Sequence, residues 1–266
     1  MTTTTLRNRV VIALHQTRAT LRSVSGAFQR RLDAVRGIDA LLMYHRVVPD
    51  ASDASTIDPG MYVRASTFER HLEVLQSRWE VTTLSSVLGM PRDDRPRVAL
   101  TFDDGWRDNL ETAWPILQRR GARGTIFLVT SWCEAGQCAD GTFIRPHEVR
   151  ELADAGMEFG AHTMGHPALD AVDPEFARLE LEGSKERVSR WTGRPCRVFA
   201  YPFGRSTPQV EKIAAGAFDA SVVVGGGWWR RGGDLARLPR IAIHDDMSRT
   251  RSLFEERLVD GLAGEL

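Results

Sequence analysis

An α/β fold built on a parallel barrel of seven or eight strands is what this 266-residue chain predicts, and three observations carry that reading. Apolar runs with β-branched or aromatic content recur from Ala40 to Ile243, and segments of helical period separate most of them. The residues richest in chemistry fall just after the runs end, where parallel α/β barrels collect their reactive groups.

Taken in order, strands are expected at Ala40–Val48, Glu80–Leu84, Arg97–Phe102, Thr125–Val129, Met157–Ala161, Arg197–Tyr201, Ser221–Val224 and Leu238–Ile243. Eight such runs are enough to close a barrel. Helices are expected at Thr67–Trp79, Asn109–Arg120, Pro146–Ala155, Pro174–Trp191, Pro208–Ala217 and Arg249–Leu262. Asp173-Pro174 reads as an N-cap followed by proline at the first helical position, and Gly121 and Gly156 stand where C-terminal caps belong. Pro49–Ser66 and Cys133–Arg145 are expected to be loops over the C-terminal edge, shaping a groove there.

Two units follow: a basic N-terminal segment, 1–37, and a single α/β domain, 38–266. The first carries Arg7, Arg9, Arg18, Arg22, Arg30, Arg31 and Arg36 against one acid, Asp33, with Val10–Leu14 among them. A short basic amphipathic helix of this kind suits peripheral contact with a membrane surface or a partner. The rest of the chain is balanced, with formal net charge zero and no cationic block, which argues against nucleic acid as a ligand. Val10–Leu14 is shorter than the roughly 7–15 apolar residues of a secretory signal, and no run approaches the roughly 20 of a membrane span, so a cytoplasmic protein, open to membrane association, is the expectation. Cys133, Cys138 and Cys196 form neither a disulfide framework nor a zinc signature, although a Cys133–Cys138 closure stays open.

Four expected strand ends converge on one face: His45, Asp103-Asp104, His162, and Tyr201-Pro202-Phe203-Gly204. Adjacent carboxylates repel unless a cation or a proton separates them. A metal on one and proton transfer by the other resolves the conflict. His162 and His166, four residues apart with Gly165 between them, can reach one ion, and a strand-end aspartate completes a two-histidine, one-carboxylate set with positions left for water and substrate. Taken alone, Asp104-Gly105 would be an ordinary turn with Asp103 as a helix cap, and the histidine pair is what shifts that reading.

The runs TFDDG (101–105), HTMGHP (162–167) and FAYPFG (199–204), in this order, resemble the signature motifs of the polysaccharide deacetylases, the family 4 carbohydrate esterases. The resemblance spans 38 to about 245 and implies a distorted (β/α) barrel and metal-dependent hydrolysis of N-acetyl groups on amino sugars in a glycan, oligosaccharide or lipid-linked precursor. It implies Asp103 as catalytic base; Asp104, His162 and His166 as ligands of one divalent ion, zinc ahead of cobalt, nickel or iron; Thr163 as a hydroxyl steadying the loop; and Tyr201, Pro202 and Phe203 at the oxyanion. Two departures stand out. Ala200 occupies the family's arginine position, and Arg240 is its expected replacement in orienting the base. Tyr44-His45 is similar to the N-terminal arrangement of poly-N-acetylglucosamine deacetylases, so His45 is preferred as general acid over His244 in the looser late motif.

Gly225-Gly226-Gly227-Trp228-Trp229 suits either a sugar-stacking arm or a core tryptophan. His15, His71 and His147 are expected at the surface. Hydrolysis of another amide or an O-acetyl ester by the same site, or a non-catalytic glycan-binding protein, are the alternatives.

Overall fold

The computed structural model describes residues 26–89, 96–139 and 141–262. The basic stretch 1–25, including His15, lies outside the described residues. Of the N-terminal segment, helix α1 (Ala27–Asp33) is described, and it buries Phe28 and Leu32. Seven strands then run parallel around a distorted barrel, with an eighth beside them. In chain order come β1 (Ile38–Tyr44), α2 (Ala65–Gln76), β2 (Glu80–Thr82), α3 (Leu84–Gly89), β3 (Arg97–Phe102), α4 (Trp114–Arg119), β4 (Thr125–Leu128), α5 (Thr130–Ala135) and α6 (Pro146–Asp154). They continue with β5 (Glu158–Ala161), α7 (Pro174–Thr192), β6 (Val198–Ala200), α8 (Pro208–Ala217), β7 (Ala220–Val222), β8 (Ile241–Ala242), α9 (Asp245–Ser248) and α10 (Arg251–Asp260).

The ring runs β8-β1-β3-β4-β5-β6-β7, and β2 lies along the first half of β3. It closes through one short segment. Leu238 bridges Val222 in parallel, and three residues later Ile241 and Ala242 pair with Leu42 and Met43. The ladder continues past the strand ends, with the N–H of Asp103 on the Tyr44 carbonyl (2.9 Å), that of His162 on Leu128 (3.0 Å) and that of Tyr201 on Val222 (3.1 Å). These bonds bring the three motifs onto one edge.

Alternation along the strands sorts side chains into two cores. Leu42, Leu100 and Leu128 pack outward under the helices, whereas Leu41, Ala99, Phe127, Val198, Ala200, Ala220, Val222 and Trp229 fill the barrel. Small residues at 99, 200 and 220 leave room for Phe127 and Trp229, as a narrow barrel requires. Helix ends follow their punctuation: Asp173 accepts the Glu175 N–H at the start of α7, Pro174 takes the first turn, and Gly193 closes it in the left-handed region.

Several expectations are corrected. The first run is not one strand, because the chain breaks at His45 and Arg46–Val48 leaves the barrel to pair in parallel with Tyr62–Arg64. That second strand lies inside the expected loop Pro49–Ser66. The expected loop Cys133–Arg145 begins within α5 and holds a hairpin of Gln137–Cys138 against Gly141–Thr142. The helix expected from Asn109 opens as a π-helical turn, Asn109–Ala113, before α4. The Cys133–Cys138 closure is not formed, and no disulfide occurs among the described residues.

Trp228 and Trp229 are core residues and offer no sugar platform, being 1% and 7% exposed. The Trp228 indole donates to the Leu258 carbonyl at 3.0 Å and packs edge-on against Trp79. Two indoles bury far more apolar area than a flexible loop would leave in water. His71 is also buried, not superficial, because it lies on the inner stripe of α2 with Phe68, Leu72 and Leu75. His147 is exposed. No helix among the described residues is long and apolar enough to cross a membrane.

Candidate active site

Asp103 and Asp104 leave the end of β3 in opposite directions. Positions 99, 101 and 103 share the inward face, so the Asp103 carboxylate enters the barrel and meets the Arg240 guanidinium in a two-pronged pair of 2.6 and 2.7 Å. Arg240 is fully buried, lies against the Phe127 ring, and also donates to the Thr101 hydroxyl (3.0 Å) and the Val223 carbonyl (3.1 Å). Burial alone would raise the Asp103 carboxyl, but the charge and hydrogen bonds of Arg240 outweigh it and hold the group below the usual carboxylate range. Ala200 lines the same interior, so an arginine entering from the segment before β8 occupies space that a longer side chain on β6 would need.

Asp104 turns the other way. Its backbone is left-handed (φ 75°), and Gly105 follows at φ 82°, where a Cβ would lie 2.7 Å from Leu128 Cδ2. This turn brings Asp104 Oδ1 to 3.5 Å from His162 Nε2 and 3.6 Å from His166 Nε2, while the two nitrogens are 3.2 Å apart. Burial would raise the Asp104 carboxyl as well, but the two histidines and the charge of His45 pull it far down. Burial and the neighbouring His162 push His166 down to about 4. His162 is raised instead, because contact with the two aspartates overrides its burial.

The three donor atoms fit a divalent ion. Ligand bonds of about 2.0–2.1 Å at tetrahedral angles place donors about 3.3 Å apart, close to all three edges of this triangle. Nδ1 of His162 faces the Ala200 carbonyl at 2.7 Å, which assigns the proton to Nδ1 and leaves the Nε2 lone pair for the cation. By composition and spacing, Asp104, His162 and His166 form a group that could hold a metal ion.

The histidine loop is built under constraint. Thr163 and His166 have φ of 67° and 61°, and Phe203 in the third motif has 58°. With Asp104 these are the positive-φ residues other than glycine among the described residues, and such geometry concentrates where surroundings over-determine it. Thr163 Oγ1 accepts the His166 N–H at 2.9 Å and donates to the His162 carbonyl. Glu180, buried on α7, accepts the N–H groups of both Met164 and Gly165 at 2.8 Å.

His45 stands at the break after β1, within electrostatic reach of Asp103, Asp104 and His166. His244 caps α9 with Nδ1 2.6 Å from Asp246 Oδ1. Of the third motif, Phe203 is 58% exposed with its ring 4.6 Å from that of His166. Tyr201 takes a different position from the one expected: its ring is buried, its hydroxyl donates to the Ala236 carbonyl, and its N–H is engaged by Val222. Pro202 has no N–H. Phe203 carries the remaining backbone N–H of the three.

Comparison with known proteins agrees with this geometry. Residues 91–217 match the family model described as polysaccharide deacetylase. That match covers 127 of the 266 residues and makes the chain similar to the polysaccharide deacetylases. Among solved structures, the Streptococcus pyogenes deacetylase PplD, determined with acetate, superposes with a TM-score of 0.72 at 25% identity, covering 84% of this chain and 97% of that one. A de-N-acetylase from Aggregatibacter actinomycetemcomitans gives 0.71 at 18% identity, over 83% and 100%, and shares the deacetylase fold. YxkH of Bacillus subtilis (strain 168), classed among polysaccharide deacetylases, is 26% identical over 179 residues. That match covers 65% of this chain and 60% of the relative's length.

Sequence reasoning passed over two members of the site. Trp106 donates its indole N–H to Asp104 Oδ2 at 2.9 Å, and Glu180 grips the histidine loop. Glu180 had a visible signal, being a carboxylate on the stripe Ala177, Leu181, Ser184 and Val188 that α7 buries. A buried acid is retained when it has donors to satisfy.

Proposed function

We propose that this protein is a deacetylase that removes N-acetyl groups from amino sugars in a glycan, oligosaccharide or lipid-linked glycan precursor. The observation that supports the reading best is the division of labour at 103–104, with one carboxylate tied to a buried arginine and its neighbour facing two imidazoles. Asp104, His162 and His166 would hold one divalent cation, zinc ahead of cobalt, nickel and iron. When bound, such an ion supplies a Lewis acid that makes water acidic near neutral pH and polarises a carbonyl.

Asp103, kept ionised by Arg240, takes the proton of the attacking water. The Phe203 amide donates to the oxyanion as the acetyl carbon becomes tetrahedral. His45, at the break after β1, protonates the departing nitrogen, so that acetate and a free amine leave. The exposed Phe203 ring offers an apolar face to a sugar beside the reacting acetyl group. Acetate bound in the Streptococcus pyogenes relative is consistent with an acetyl product.

Mass spectrometry of N-acetylated hexosamine oligosaccharides, incubated with zinc-loaded protein, tests the substrate class. Stepwise loss of acetyl units is expected. Acetate released only from O-acetylated sugars or from non-sugar amides would overturn it.

A further inference from the structure

We infer that Trp106 orients the cation-binding carboxylate, restricting Asp104 to one coordinating oxygen, and that Arg46 and Asp108 brace Trp106 for this task. The inference rests on the reading of Asp104, His162 and His166 as a cation cradle. An indole offers one N–H and no acceptor, so a buried tryptophan seeks a single partner. Here that partner is Asp104 Oδ2 at 2.9 Å, while the histidine nitrogens face Oδ1, the other oxygen. A carboxylate without this bond would be free to swing both oxygens toward a cation, the two-oxygen mode favoured by larger ions.

The indole is itself packed between neighbours of its own. The Arg46 guanidinium lies over one ring at 4.5 Å, and the Phe143 ring packs at 4.6 Å with 31° between planes. Gly141 makes room, since a Cβ there would stand 3.0 Å from the indole. Arg46 is fixed in turn by Asp108, whose Oδ2 accepts its Nε–H at 2.7 Å and whose Oδ1 accepts the Val47 N–H at 3.0 Å. One carboxylate therefore pins the two residues that follow His45 and steadies the tryptophan that orients Asp104. Trp106 is a positioning residue, acting through Asp104.

The test is titration of cobalt(II) into metal-free protein, read by calorimetry and by the visible absorption of the bound ion, neither of which depends on activity. Trp106→Phe keeps an aromatic ring, though a smaller one, and loses the donor. Its cobalt affinity should fall roughly tenfold or more, as loss of a partner behind a ligand commonly does, with an altered visible spectrum. Thermal unfolding in chelator reports folding separately, and if Trp106→Phe melts too early, Asp108→Asn carries the test with an expected loss of about threefold, below the usual range because it acts one step further out. Wild-type affinity with an unchanged spectrum in the folded variant would overturn the inference. Failure of the wild type to bind cobalt would instead overturn the cradle on which it rests.

Discussion

At the scale of single residues, two neighbouring aspartates are made different by what each one faces. Asp103 points inward to a buried guanidinium, and Asp104 turns on a left-handed backbone toward imidazoles. Replacing Arg240 with Met would strand the Asp103 carboxylate in the barrel. Removing one partner of a buried pair costs about 3–5 kcal/mol, which urea unfolding of Arg240→Met at pH 7 should show. Activity should move as well. With the guanidinium gone, burial is the largest influence left and raises the Asp103 carboxyl, so the acid limb of the pH–rate profile is expected at higher pH than in the wild type. The motif residues were legible because carboxylates and histidines at strand ends have few other uses. Pairing of Arg240 with Asp103 follows from period-two counting only once the strands are known to face each other, and Trp106 was hidden because an aromatic two residues past a carboxylate looks like any core residue.

Elements carry the next layer. Helix α7 grips the histidine loop through Glu180, and the break after β1 presents His45 while sending Arg46–Val48 into a separate pairing. Helix α2 joins β1 to the C-terminal helices through His71. Its Nδ1 accepts from the Tyr44 hydroxyl (3.2 Å), its Nε2 donates to the Ser248 carbonyl (2.8 Å), and its ring stacks on Phe254 at 3.9 Å. Burial pushes this imidazole from 6.5 down to about 3, ahead of smaller effects from Ser248 and Arg70. Below pH 6.5 the unfolded chain binds a proton that the folded state refuses. Stability from His71 is therefore complete above 6.5 and is lost as pH falls toward 3, at about 1.4 kcal/mol per pH unit. Between pH 7 and pH 5 the wild type should lose about 2 kcal/mol more than His71→Gln in urea unfolding; equal losses would contradict the buried neutral histidine. Helical period revealed α2 but not its inner face, although Phe68, His71, Leu72 and Leu75 at i, i+3, i+4 and i+7 carried that signal.

On the scale of the whole molecule, a barrel closed by the 238–242 segment gathers residues from 45, 103–104, 162–166, 203 and 240 to one edge. Alternation of strand and helix was readable because apolar runs and helical stripes differ in period. Closure was not, since β8 is two residues long and depends on tertiary pairing with β1. On the proposed function, holding the cation and acting as base are separable tasks on one scaffold. Asp103→Asn puts that separation to the most direct test, with bound divalent metal and acetate release from an N-acetylated hexosamine oligosaccharide measured on the same sample. Metal retained at one ion per chain with acetate release abolished is the expected result; acetate release at the wild-type rate, or metal lost along with activity, would contradict it.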